Sequence, residues 1–120
     1  MENIEWFEEL FATIDQLDSE SFVSYLTEDA QFIYGSMPPV QGKEAIRNFT
    51  SEFFGSLAGI GHNLLRTWVV ENTRLCEGEV TYDLPDNRKI TLPFMNVFDM
   101  EGEKIREYKI YVDPSPLAAE

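Results

Sequence analysis

The chain has one cysteine, Cys76, and one histidine, His62. A lone thiol closes no disulfide within the chain, and a lone imidazole without clustered cysteines builds no transition-metal set, so no metal or other cofactor is expected. Bases are scarce as well: 9 Lys and Arg stand against 22 Asp and Glu, a formal net charge of −13. That balance repels phosphate backbones and anionic lipid, so nucleic acid is not an expected partner. No apolar run approaches the ~18 residues of a membrane span, and the opening MENIEWFEEL carries acids where a secretory signal carries bases. No membrane partner is expected, and the expected location is cytoplasmic. Repeats, low-complexity tracts and Gly/Ser-rich linkers are also missing, so residues 1–120 read as a single domain large enough to bury a core unaided.

What is present is hydrophobic periodicity that changes along the chain. Trp6, Phe7, Leu10, Phe11, Ile14 and Leu17 recur at helical spacing and predict a first helix over 6–17. Asp18 and Ser19 are N-cap types for a short second helix carrying Phe22, Val23, Tyr25 and Leu26 and stopping near 27–29. Ala30 to Tyr34 suits a brief strand, and the two prolines of GSMPPVQG predict a loop. A third helix over about 43–57 presents Ala45, Ile46, Phe49, Phe53 and Phe54 before glycines 55, 59 and 61 end the pattern. Four strand candidates follow at 62–71, 74–84, 88–99 and 104–113, joined by short turns as an antiparallel meander. Helices first and strands afterwards give an α+β fold. A long sheet covered on one face must curl, and the curl leaves a cone with an internal apolar pocket.

Several local motifs in this order resemble the nuclear-transport-factor-2-like superfamily, in particular its SnoaL-like and ketosteroid-isomerase-like branches. They are Leu26-Thr27-Glu28-Asp29-Ala30 before the first strand, Gly42-Lys43-Glu44-Ala45-Ile46 opening the third helix, and Glu103-Lys104-Ile105 before a last strand ending Tyr111-Val112-Asp113. The resemblance spans nearly the whole chain and implies the cone fold, whereas activities on that fold range from isomerases and cyclases to passive binders. The carboxylate base of the similar isomerases falls on Tyr34, their oxyanion-binding tyrosine near Leu10, and their protonated aspartate at Met95 or Asn96. Ordinary ketosteroid isomerisation is therefore not implied. A likeness to limonene epoxide hydrolases runs through Pro38-Pro39-Val40-Gln41-Gly42 and puts their water-positioning tyrosine and asparagine on Phe32 and Tyr34. Their Asp-Arg-Asp core falls on Glu79, Glu77 and Ile110, so that reaction is not implied either.

His62 is the leading acid/base candidate, because imidazole is the side chain that titrates nearest neutrality; the alternative is a histidine satisfied structurally at a strand start. Asp113, before Pro114, is its candidate partner, and the alternative there is a carboxylate bonding free backbone N–H groups at the turn. Tyr34 is the third catalytic candidate. Tyr82 and Tyr108 bring phenols with an apolar body and a hydrogen-bonding tip, and Asn96 interrupts the apolar row of Phe94 and Phe98. Strand alternation puts Tyr108 with Ile110 and Val112, and Tyr111 with Asp113 on the opposite face, so only a bulge brings Asp113 to Tyr108. Phe32, Met37 and Trp68 are candidate apolar wall for a ligand.

These residues support two readings. One is a cofactor-independent enzyme that moves protons on a small apolar carbonyl, polyketide- or steroid-like compound, as an isomerase, cyclase or dehydratase. The other is a non-catalytic domain that binds a small apolar molecule or dimerises. A homodimer through the open sheet face is expected, with Val69, Val80, Thr81 and Thr91 on that surface.

Overall fold

The computed structural model describes residues 4–118. Its elements are α1 (Ile4–Asp15), α2 (Ser19–Val23), β1 (Leu26–Tyr34), β2 (Val40–Gln41), α3 (Lys43–Gly55), β3 (Gly59–Val70), β4 (Thr73–Asp83), β5 (Lys89–Glu101), β6 (Lys104–Tyr111) and a terminal turn of helix, α4 (Ser115–Ala118). One sheet in the order β2-β1-β6-β5-β4-β3 carries all the strands. The meander β3 to β6 is antiparallel throughout, as expected, and β1 joins its far edge parallel to β6. The three N-terminal helices lie against one face, which makes this a curved-sheet α+β cone.

Several boundaries differ from the sequence reading, each for a local reason. The first helix stops at Asp15 because Leu17 takes a left-handed conformation (φ 59). Asp18 then caps α2, accepting from the Ser21 backbone N–H at 3.1 Å and from the Ser21 hydroxyl at 2.7 Å. This second helix ends at Val23, so Tyr25 lies outside it and Leu26 opens β1, four residues before the expected strand start. The Ile105 N–H donates to Tyr25 O at 2.7 Å, and this long-range bond draws the segment into the sheet. The double-proline loop contains the short β2, paired with β1 through Gln31–Gln41 and Phe32–Val40. Gly42 enters α3 with φ 95, a backbone region that suits glycine.

The strands alternate as half-buried strands should. Along β5, Leu92, Phe94, Asn96, Phe98 and Met100 are buried while their neighbours are more open. Curvature comes from bulges. Register slips between Leu64 and Arg66 on β3, leaving Leu65 unpaired and exposed. Opposite the slip sits Gly78, where an added Cβ would lie 2.3 Å from the Asn63 carbonyl oxygen. Only glycine admits so close an approach of the two backbones, and the bulge it permits bends β3 around the helices.

The core is strongly aromatic. Phe7, Leu10, Phe22, Phe98, Ile105 and Tyr108 are essentially inaccessible, and Trp6 stands edge-on to Phe98 at 5.2 Å with the Arg74 guanidinium 4.5 Å above its ring. This packing closes the narrow end of the cone. The other end stays open.

Candidate functional site

The open end holds a pocket between the concave sheet face and the helices. Each long strand contributes a pair of residues two apart: Phe32 and Tyr34, Ile60 and His62, Val80 and Tyr82, Phe94 and Asn96, Tyr108 and Ile110. Ile14, Phe22, Phe49, Thr50, Phe53 and Phe54 close it from the helical side. The cavity is small, about 50 Å³. The space is therefore narrow, a slot between the sheet and the helices.

His62 occupies one wall. Its Nδ1 lies 2.6 Å from Asp15 Oδ1, and its backbone N–H donates to Asp15 Oδ2 at 3.2 Å. Asp15 thus grips both the ring and the main chain of one residue, while Phe11 at 4.6 Å and Phe94 at 5.5 Å hold the ring between them. The His62 side chain is 9% exposed and that of Asp15 is 30%. With the proton on Nδ1, shared with the carboxylate, Nε2 is a bare acceptor and has no hydrogen-bond partner among the described residues. That is the arrangement of a base held by a carboxylate.

Two neutral phenol systems share the slot. The Tyr34 and Tyr82 hydroxyls lie 2.9 Å apart, so one donates to the other and the accepting phenol keeps its own proton to donate. Burial pushes both pKa values up, Tyr82 far more than Tyr34, and the Tyr34 neighbour raises that of Tyr82 further. Tyr108, fully buried, is pushed well above the ordinary phenol value by desolvation. Its hydroxyl accepts from Asn96 Nδ2 at 3.3 Å, which leaves the phenolic proton to donate. All these phenols stay protonated at neutral pH.

Of the residues singled out in the sequence, His62, Tyr34, Phe32, Tyr82, Asn96 and Tyr108 come together in this one pocket. Met37 lies at its mouth, with Tyr34, Phe49, Glu52 and Phe53, and is 45% exposed. Asp113 is not in the pocket and does not meet His62. The last strand ends at Tyr111, and the Asp113 carboxylate accepts from the Ser115 N–H at 3.1 Å, the turn-forming role. Trp68 is not pocket wall either: it pairs with Leu75 on the opposite face and is 40% exposed, because the bulge at Leu65 shifts alternation along β3. Val80 does not belong to an outer sheet surface. It pairs with His62 and is buried, whereas its neighbour Thr81 faces the other way and bonds Thr91 at 2.8 Å.

Asp15 is the residue of the candidate site that the sequence reading does not single out. A signal was there: it lies one turn beyond Phe11, on the border of the buried stripe, as an acid in the last turn of a helix, where the dipole disfavours negative charge. Among the described residues no group of three or more His, Cys, Asp or Glu side chains is arranged to hold a metal ion. No helix among them is long and apolar enough to cross a membrane.

Comparison with solved structures places the geometry in a known group. An NTF2-like protein of unknown function from Burkholderia pseudomallei superposes with a TM-score of 0.84 at 13% identity, covering 96% of this chain and 93% of that one. TerC, co-crystallised with polyporic acid, gives 0.82 at 17% identity over 97% and 95% of the two chains. A candidate SnoaL-like polyketide cyclase from Jannaschia sp. CCS1 gives 0.78 at 15% identity over 97% and 88%. At such identities the likeness concerns the fold. No curated protein matches the sequence significantly. The family model described as the SnoaL-like domain matches residues 7–108, and the chain belongs to that family.

Proposed function

We propose that this protein is a cofactor-independent acid/base catalyst acting on a small, largely apolar carbonyl compound. The observation that carries this reading is the contact of 2.6 Å between His62 Nδ1 and Asp15, made by an imidazole that lines the same pocket as the buried phenols of Tyr34, Tyr82 and Tyr108. In the proposed reaction His62 Nε2 takes a proton from the carbon beside the carbonyl. The C–H electron pair becomes a C=C bond, and the carbonyl oxygen takes up the negative charge. A free phenolic proton, from Tyr108 or from the Tyr34–Tyr82 pair, donates to that oxygen, while Asp15 stabilises the imidazolium. Return of the proton at another carbon is isomerisation, its delivery to a leaving hydroxyl is dehydration, and attack of the enolate carbon on a second carbonyl is cyclisation. A positioned base contributes about 10²–10⁴ in rate, and a single oxyanion donor about 10²–10³.

The family and its neighbours support a small-molecule pocket with or without catalysis, and TerC with its polyporic acid is one such neighbour. A second reading, a passive binding domain, is supported by the mainly apolar lining of the pocket. Hydrogen–deuterium exchange at the α-carbon of small aryl ketones, followed by proton NMR, separates the two. The enzyme exchanges faster than buffer, and His62→Gln removes at least about a hundredfold of that acceleration. Exchange that His62→Gln leaves unchanged favours the passive binder. The same reading includes a homodimer through the convex sheet face. There Trp68, Leu75 and Val97 form one cross-strand row and Met95 and Tyr111 another. A strict monomer by sedimentation at high micromolar concentration removes the dimer.

A further inference from the structure

The proposed proton transfer uses neither Asn96 nor Thr50 of the pocket, and whereas the Thr50 hydroxyl donates to the Ile46 carbonyl oxygen at 2.9 Å, Asn96 keeps an unpaired atom. It stands in the middle of β5, 2% exposed, in a row where Phe94 and Phe98 are its same-face neighbours. Its Nδ2 donates to the Tyr108 hydroxyl at 3.3 Å, and its Oδ1, also buried, accepts from nothing. Buried amide oxygens are almost always paired, so a lone one on a residue that lines a pocket marks a place where a donor is missing. Most other side chains lining the pocket are apolar, and the neighbouring polar group, the Tyr108 hydroxyl, accepts from Asn96 and so keeps its own proton to donate. One end of the slot therefore offers an acceptor beside a donor, while its base, His62, lies on another strand.

We propose that Asn96 determines specificity by accepting a hydrogen bond at Oδ1 from a hydroxyl of the ligand, so that the pocket selects hydroxylated carbonyl compounds over their unhydroxylated counterparts. The inference rests on the functional reading above and deepens it by naming the substrate class. Its physical basis is asymmetric: a ligand with the hydroxyl satisfies an acceptor that is otherwise buried unpaired, whereas one without it seals that acceptor against hydrocarbon. A methoxy group fills the same space and brings no proton. Asn96 is thus a discriminating contact, separate from the base.

The test is the binding of three one-ring probes, 4′-hydroxyacetophenone, 4′-methoxyacetophenone and acetophenone, by calorimetry on the intact protein. The hydroxy probe is expected to bind at least about tenfold more tightly than either of the others. In Asn96→Leu the preference falls to within about twofold, and in Asn96→Asp, which keeps the acceptor, it survives; the Asp variant also serves if the Leu variant does not fold. Ratios within about twofold in the unaltered protein, as a water bridging Oδ1 would give, overturn the proposal. So does failure of the hydroxy probe to bind. With the amide turned over, Nδ2 would face the slot and the methoxy probe would bind as well as the hydroxy probe, an ordering that also overturns it. Ketone exchange measured on the same samples keeps the two claims apart. A ratio near one with exchange dependent on His62 refutes only the hydroxyl preference; a ratio that depends on Asn96 without exchange refutes only the chemistry.

Discussion

Replacing Asp15 with alanine removes both oxygens that hold His62, the one 2.6 Å from Nδ1 and the one accepting its backbone N–H at 3.2 Å. A hydrogen bond to a charged group contributes about 1.5–3 kcal/mol. The Asp15 side chain is 30% exposed, so solvent screens part of this and the lower half of that range applies, about 1.5–2 kcal/mol. The histidine is only 9% exposed and cannot readily recruit water to replace what it loses. For a domain of this size the loss corresponds to a fall in Tm of about 5–8 °C, measurable by circular dichroism or calorimetry. Asp15→Asn distinguishes structure from chemistry, because it retains an acceptor and loses the charge. Stability should return to within about 1 kcal/mol of the original protein, while ketone exchange stays slowed at least about tenfold. A melting point for Asp15→Ala within about 1 °C of the original would refute the reasoning, since so short and enclosed a contact would then contribute nothing.

Stability should fall steeply at alkaline pH. Burial pushes the Cys76 thiol from its usual value near 9 up to about 12, and Tyr34, Tyr82 and Tyr108 are raised as well. Above pH ~9 the unfolded chain releases protons that the native state retains, so each such group removes about 1.4 kcal/mol per pH unit, Cys76 first and the phenols above pH ~10. Urea midpoints that are equal at pH 7 and 10.5 would contradict this. Gly78→Ala forces a Cβ onto the Asn63 carbonyl and should cost at least about 2 kcal/mol in thermal melts; a change under about 0.5 kcal/mol would mean that the bulge relaxes freely. In a double-mutant cycle Tyr34→Phe and Tyr82→Phe should each destabilise by about 1–2 kcal/mol by stranding the other hydroxyl, and together by less than their sum; strict additivity would mean that the 2.9 Å contact is not formed in solution.

The helical stripe of Phe7, Leu10, Phe11 and Ile14 and the period-two burial of β5 were legible in the sequence because local spacing alone determines which side chains share a face. The pocket tyrosines followed from the same alternation. Where a bulge intervened, the reading failed: Trp68 was expected to face inward, and the slip at Leu65 turned it outward. Val80 and Thr81 were assigned to one surface although adjacent strand positions must face opposite ways. The carboxylate that meets His62 was not found by proximity to the last strand, because Asp15 lies 47 residues earlier and reaches it only through the docking of α1 on β3. Pairing between distant segments depends on how helix and sheet pack, information that no single window of sequence carries. Asn96 did stand out, as a polar residue in an apolar row, and only the structure distinguishes its bonded nitrogen from its unpaired oxygen.

The central claim concerns one imidazole, and long-range nitrogen–proton NMR of His62 tests it most directly, since the chain has no other histidine to obscure the signal. At a pH where the ring is neutral, the expected result is a proton on Nδ1, a bare Nε2, and a marked shift of both nitrogens when 4′-hydroxyacetophenone binds. A proton resident on Nε2, or ring resonances unmoved by a ketone that demonstrably binds, would contradict the assignment of His62 as the base of the pocket.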